Sequence, residues 1–478
     1  MKINLLFDSV QTAQLAAYSL RCEWDGCNGV TLEQSKIDED EEILVAVKLA
    51  DENFCHEGSQ CCIYFPGSIN IQQGLIICGA QSTERNLLNN LVIFEQINKG
   101  LSIIMHDSDY PLESAQVAEA ALKQGYEVKV LVPRAPDSED CNPFDGLKSE
   151  TDWANAQELA EVMNTNFRPK HNAGNNSVFW DEIRNQVTTT IIMLAKTTTY
   201  PDLMMCQAFL NLERLSQRIK ANKNKLSPWL LNQWESIFCL SEGILDSVIS
   251  NVIMDFSNVL SRRKIESSYL STTFSLKLQD KQLLIVGKTL ESGDVSNPLL
   301  PTLLQLIVAS NVNEPRKTPL FLSLDNFDYC LPQLVSWMYL NRNTFSYLLG
   351  FQSLEQVERI YGKQVAGAIW IRAANKVIFN TEGNDSAPAL STHSEMLNSG
   401  HLTSTFTKQC ISFNLVSLSS EPTPTKVIVP ADELEKLEAN PASWKKLRLQ
   451  LSQQNSEKEL SKTDWQERYD YADQLLPL

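Results

Sequence analysis

The chain has 478 residues, of which 41 are Lys or Arg and 58 are Asp or Glu, giving a net charge of −17 at pH 7. At roughly 100–200 residues per domain a single small unit is excluded, and 43% hydrophobic with 21% charged residues is the composition of a folded globular protein. The acidity argues against a surface that coats nucleic acid. No apolar run reaches the ~18–20 residues of a membrane helix, and Asp8, Gln11 and Gln14 interrupt the N-terminus too early for a secretory core. A cytoplasmic protein without membrane insertion is the expectation. The 11 cysteines form no C-x-x-C pair, so free thiols are expected. In the densest cluster, Cys55, His56, Cys61 and Cys62, the adjacent cysteines suit one tetrahedral ion poorly, and no metal site is expected.

Residues 1–60 are weakly patterned, and the acidic run Asp38 to Glu42 reads as a solvated loop. From residue 71 short aliphatic runs alternate with amphipathic stretches, the pattern of strand-helix-strand units around a parallel sheet. Strands are predicted at Leu75–Cys78, Leu101–Met105 and Val128–Val132, with helices at about 85–98 and 112–124. Over 178–265 the period changes. Ile244, Val248, Val252, Phe256 and Leu260 recur every four residues, and Tyr200-Pro201 and Ser227-Pro228 offer helix starts, so an all-helical insertion is predicted. Leu283–Val286, Leu320–Leu324, Tyr347–Leu349 and Lys376–Phe379 form a second strand series that rejoins the same sheet. The expected divisions are an N-terminal segment 1–60, an α/β domain in two parts, 61–177 and 266–418, the insertion 178–265, and a polar tail 419–478 read as an appendage.

A strand ending in Gly79 and running into a helix is where a phosphate-binding loop would sit. Such a loop needs a second glycine, a lysine for the β and γ oxygens, and a hydroxyl for Mg²⁺. Those places hold Glu84, Arg85 and Asn86. A carboxylate ~4 Å from a phosphate charge costs about 4 kcal/mol at an effective dielectric near 20, roughly a thousandfold in affinity. The strand ending Leu324-Asp325-Asn326 offers Asp325 to a water-held Mg²⁺, but Asn326 stands where an ATPase places the acid that polarises water.

These segments resemble the type IV secretion coupling proteins of the TraG/TraD kind, hexameric RecA-like motors that feed DNA or protein into a conjugation channel. The resemblance spans roughly 60–415. It includes Ser102–Asp107, a hairpin-like stretch Gly125–Pro133 closing on Asn142-Pro143-Phe144-Asp145, and Ser241–Leu245 at a helix start. Phe351-Gln352-Ser353-Leu354, Tyr361-Gly362 and Asn375–Phe379 are similar to the family's sensor strand and its successor. The resemblance implies a RecA-like P-loop NTPase fold with an all-helical insertion, and places Gly79, Glu84, Arg85, Asn86, Asp325 and Gln352 around a nucleotide site. The family's arginines before the sensor strand fall near Asn341 and Asn343, with Arg342 between them. The losses imply a degenerate ATPase with no catalytic residue retained, Asn326 standing at the acid's position. Two readings of the loop stay open, a ligandless turn and weak binding of ATP with Mg²⁺ without turnover. The function expected is a scaffold or regulatory subunit with a protein partner, a monomer or weak oligomer when alone. The rival is a working DNA- or protein-translocating motor. Arg218, Lys220, Lys223 and Lys225, with Arg262, Arg263 and Lys264, could give the insertion a DNA contact, whereas Trp229 and Trp234 read as core.

Overall fold

The computed structural model describes residues 74–79, 83–133, 135–167, 177–260, 269–289, 299–313, 316–340, 344–373, 375–379, 440–455 and 462–478, and strand backbone at 2–7, 31–37, 43–48, 62–64, 410–417 and 423–428. The cysteine and histidine cluster around 55–62 (Cys62 apart), the acidic run 38–42, residues 80–82 of the loop, Arg262 to Lys264 and residues 341–343 lie outside the described residues.

Strands β1 (Lys2–Phe7), β2 (Thr31–Ile37) and β3 (Ile43–Lys48) form an antiparallel sheet in the order β1-β3-β2, where the sequence pattern had suggested little regular structure. The remaining strands share one ten-stranded sheet. They are β4 (Cys62–Tyr64), β5 (Leu75–Cys78), β6 (Ser102–Tyr110), β7 (Glu127–Leu131), β8 (Gln282–Thr289), β9 (Leu320–Asp325), β10 (Phe345–Phe351), β11 (Asn375–Ile378), β12 (Cys410–Ser417) and β13 (Thr423–Ile428). Their order is β4-β13-β12-β11-β5-β10-β9-β6-β8-β7. The seven strands from β11 to β7 run parallel, as expected from the two strand series. The stretch 125–133 is no hairpin: β7 is an edge strand parallel to β8, reached from the preceding helix through a turn closed by Tyr126 N donating to Ala121 O.

The parallel strands are near-continuous apolar runs because both faces are covered. Leu75, Ile77, Ile103, Met105, Leu283 and Ile285 face one buried cluster, and Ile76, Ile104, Leu284, Val286, Leu322 and Leu349 face the other. The first face carries α1 (Thr83–Asn98) and α2 (Ala115–Lys123). The second carries α3 (Trp153–Phe167), α4 (Ser177–Lys196), α5 (Leu203–Leu210), α6 (Leu215–Ala221), α7 (Pro228–Phe238), α8 (Glu242–Leu260), α9 (Leu299–Val312), α10 (Leu334–Met338), α11 (Leu354–Tyr361) and α12 (Lys363–Arg372). Residues 177–260 are helical as the periodicity predicts, and their apolar faces join the same core as the sheet. Ser227 caps α7, its hydroxyl accepting from Leu230 N, with Pro228 in the first turn. At Tyr200-Pro201 the cap is one residue on, where the Asp202 carboxylate accepts from Met205 N.

The C-terminal helices are no appendage. In α13 (Ala442–Gln454) Trp444 is 1% exposed and packs on the α2 face, its backbone N donating to Glu119 at 2.9 Å. Arg448 reaches the buried Asp137 at 2.6 Å, and Tyr110 donates to the same carboxylate at 2.5 Å. Helix α14 (Lys462–Leu475) docks on α5 across the sheet, where Arg468 grips Asp202 at 2.5 and 3.0 Å. Each helix docks through a few buried apolar side chains, Trp444 in α13 and Ala472 in α14, together with these ion pairs, so the Gln- and Lys-rich sequence around them hides the contact.

Candidate functional site

Parallel α/β sheets place their ligand sites at the carboxyl ends of the strands. At that edge β5 ends in Gly79 and β9 ends in Asp325, with β10 between them. Gly79 has φ 143, and a Cβ there would come within 2.7 Å of Phe379 Cβ, so glycine is required at this turn.

Arg85, in the first turn of α1, is fully buried. Its guanidinium donates to the Gly79 carbonyl at 2.6 Å and forms an ion pair with the Asp325 carboxylate. Asn89, one turn further along α1, donates to the other oxygen of Asp325. Asp325 therefore has both carboxylate oxygens engaged by α1. Gly350 on β10 makes this approach feasible, since a Cβ there would collide with both Asp325 and Arg85. Sequence reasoning singled out Gly79, Arg85 and Asp325, and the structure brings all three together. It missed Asn89 and Gly350. The i, i+4 spacing of Arg85 and Asn89 was the available signal for Asn89.

Asn326 has φ 49, a left-handed conformation that asparagine tolerates better than most side chains. Its amide oxygen accepts from Gln352 Nε2 at 3.0 Å. Gln352 N donates to Gln356 Oε1 at 2.7 Å, and Gln356 Nε2 donates to Asp328 at 2.7 Å, so a polar chain links the end of β9 to α11. Ser353 caps α11 by accepting from Gln356 N at 3.2 Å. Asn86 points to the exterior and does not join the cluster, and Glu84 is placed in α1 by its backbone.

His106 on β6 lies beneath the site, Nδ1 2.8 Å from the Asp325 carbonyl and its ring edge-on to Phe327 at 4.9 Å. Burial pulls its pKa down to about 4, which keeps it neutral near pH 7. Burial pushes the neighbouring Asp107 and Glu113 carboxyls up. Asp107 is satisfied by backbone N–H groups of Asp109 and Ser114, each at 2.9 Å. Among the described residues no group of three or more His, Cys, Asp or Glu is placed to hold a metal ion. No single described helix is long and apolar enough to cross a membrane.

Of the described basic residues singled out in the helical layer, Arg218 is built into the packing and Lys220, Lys223 and Lys225 are exposed. Arg218 is buried, donating to Asp473 and to the Leu476 carbonyl, both at 2.7 Å. Lys225 reaches the Gln474 and Leu475 carbonyls at 3.4 and 3.2 Å, and Lys220 sits 4.7 Å over the Phe238 ring. Exposed Lys223 lies 3.9 Å from Glu235. Trp234 is fully buried and Trp229 packs edge-on to Trp153, as core residues should.

Residues 319–439 match the family described as the TraM recognition site of TraD and TraG. No curated protein matches the chain by sequence. The fold is similar to that of the bacterial conjugative coupling protein TrwBdeltaN70 in its unbound monoclinic form, with TM-score 0.58 and 13% identity over 79% of this chain and 90% of that one. It is equally similar to plasmid coupling protein TrwB in complex with ADP and Mg²⁺ (TM-score 0.58, 13% identity, 84% and 95% covered). The complex of TrwB with a non-hydrolysable GTP analogue gives TM-score 0.59 at 13% identity, with 84% and 96% covered. Residues 319–439 thus match a family model of the conjugation proteins TraD and TraG, and the chain as a whole shares its RecA-like fold with TrwB.

Proposed function

We propose that this chain is a catalytically degenerate coupling protein, a scaffold or regulatory subunit that works through protein contacts and does not hydrolyse ATP. The observation that carries this reading is the position of Arg85, which bridges the Gly79 carbonyl and Asp325. A Mg²⁺-bound triphosphate needs the loop's N–H groups, a free cation and a carboxylate facing a hydrated metal. Here the cation and the carboxylate have taken each other. Stranding one partner of a buried ion pair costs about 3–5 kcal/mol, which corresponds to roughly a hundredfold to several thousandfold in affinity. The residues present therefore do not suit a magnesium nucleotide. Asn326, with an amide in place of a carboxylate, has no basic oxygen to activate water, and its oxygen is engaged by Gln352.

The family match covers a segment described as a recognition site for TraM, which supports a protein partner for this chain. Without nucleotide to join subunits, the chain alone is a monomer or weak oligomer in the cytoplasm. Phosphate release from Mg·ATP, measured with and without single-stranded DNA, tests the reading. Turnover at the background of a no-protein control is expected. DNA-stimulated turnover that disappears in Asp325→Ala would establish a working motor instead.

A further inference from the structure

A second feature lies within the matched segment, on the exterior of α10 to α12. Tyr339 and Ile371 are among the most exposed large hydrophobic side chains described, at 62% and 70%. Burying such side chains is worth roughly 1.5–3 kcal/mol each. Tyr339 is held in place by Arg372, whose guanidinium lies 4.3 Å over its ring while its Nε donates to the Met338 carbonyl at 3.0 Å. Ordering an Arg and a Tyr in advance lowers the entropy a partner must overcome, and these are the residue types that dominate interface energetics.

Helix α12 extends the surface. Gln364, Gly367, Ala368 and Ile371 fall at i, i+3, i+4 and i+7 and so share one face. Gln364 is exposed, Gly367 and Ala368 are half-exposed, and a Cβ at Gly367 would meet open space. The opposite positions Ala366 and Ile369 are buried. Small residues flanked by a large apolar side chain allow a second backbone to approach closely. The charge is also local. From Arg359 to Ala373 the sequence carries Arg359, Lys363 and Arg372 and no acid, in a chain whose net charge is −17, while Lys376 beyond it is buried.

We infer that the face formed by Tyr339, Arg372, Ile371 and the Gly367-Ala368 step docks an acidic amphipathic helix of a partner protein. The inference rests on the reading of the chain as a coupling-family subunit with a protein partner, and adds where that partner sits and what it must present. Apolar side chains at the centre and a helical face of small residues favour a protein helix over a nucleic-acid backbone, which would pair with the charges and leave Ile371 unused.

The test places a benzophenone photo-cross-linking amino acid at Gln364 of the full chain in its native cell, with Phe179 as a control position. The expected product joins Gln364 to an acidic helical segment of another protein. Ile371→Asp, at a side chain too exposed to carry the fold, and Arg372→Glu should each reduce that product about thirtyfold, the effect of losing a strong interface residue. Changing the cross-linked partner acid to Lys should restore it with Arg372→Glu. A product with DNA or a second copy of this chain, no product, or a product indifferent to Ile371→Asp would overturn the inference. Capture from Phe179 alone would keep a protein partner and discard this face. Measured ATP turnover alongside the expected product would keep the face and discard the degenerate site.

Discussion

Two places in this molecule pair a buried arginine with an aspartate, with different consequences. Where α14 meets α5, Arg468 and Asp202 join elements distant in sequence, and Asp202 also caps α5. At the strand ends, Arg85 and Asp325 join α1 to β9 at a position that a RecA-like fold reserves for a ligand. The first pair is a staple, whereas under the proposed function the second closes a nucleotide site. The chemistry of the pair is the same in both, so its role follows from its place in the sheet.

Removing one member of the staple should have the largest effect. Asp202→Ala strands a buried guanidinium, at about 3–5 kcal/mol, and loses a helix cap worth about 1 kcal/mol. Urea unfolding should show the sum as a shifted midpoint with an unchanged slope, whereas a tail that only rests on the domain would leave the midpoint in place. Trp444→Ala on the opposite face should cost about 3–5 kcal/mol by the same measurement, because the indole is 1% exposed.

Acid sharpens the comparison from the side of the strand-end site. His106 has a pKa lowered by burial from 6.5 to about 4. A depressed pKa means that the unfolded chain binds the proton more readily, so this stability is present above about pH 6.5 and is lost as pH falls towards 4. The full loss is on the order of 3 kcal/mol. Asp107 and Glu113, raised by burial, run the opposite way: acid lets them protonate more easily in the folded state. The difference between the wild type and His106→Gln across this range isolates the histidine, and a pH-independent difference would refute the assignment. The smallest effect should come from Gly350→Ala, where an added methyl crowds Asp325 and Arg85. Overpacking of this kind costs about 1–3 kcal/mol, seen as a lowered melting temperature.

The parallel strands were legible because β5, β6, β8, β9 and β10 are apolar runs buried on both faces, and composition alone carries that signal. Strand β12 lies inside the expected second part of the α/β domain, 266–418, where Ile411, Phe413 and Leu415 alternate with polar residues, whereas β13 falls in the stretch read as a polar tail. The strand-end site was only half legible. Arg85, Asn326 and Asp325 could be picked out as departures from or matches to a motif. That Arg85 turns inward to Asp325 depends on a contact across 240 residues and on Gly350 making room for it, and no local pattern encodes either. The clasp of α13 and α14 was missed for a related reason, because hydropathy does not register helices docked through Arg448–Asp137 and Arg468–Asp202.

Titration calorimetry of the full chain with Mg·ATP tests the central claim most directly. With Arg85 and Asp325 engaged by each other, the account predicts no saturable heat at millimolar nucleotide. Micromolar binding that vanishes in Asp325→Ala would show that the pair yields to the ligand, and would contradict it.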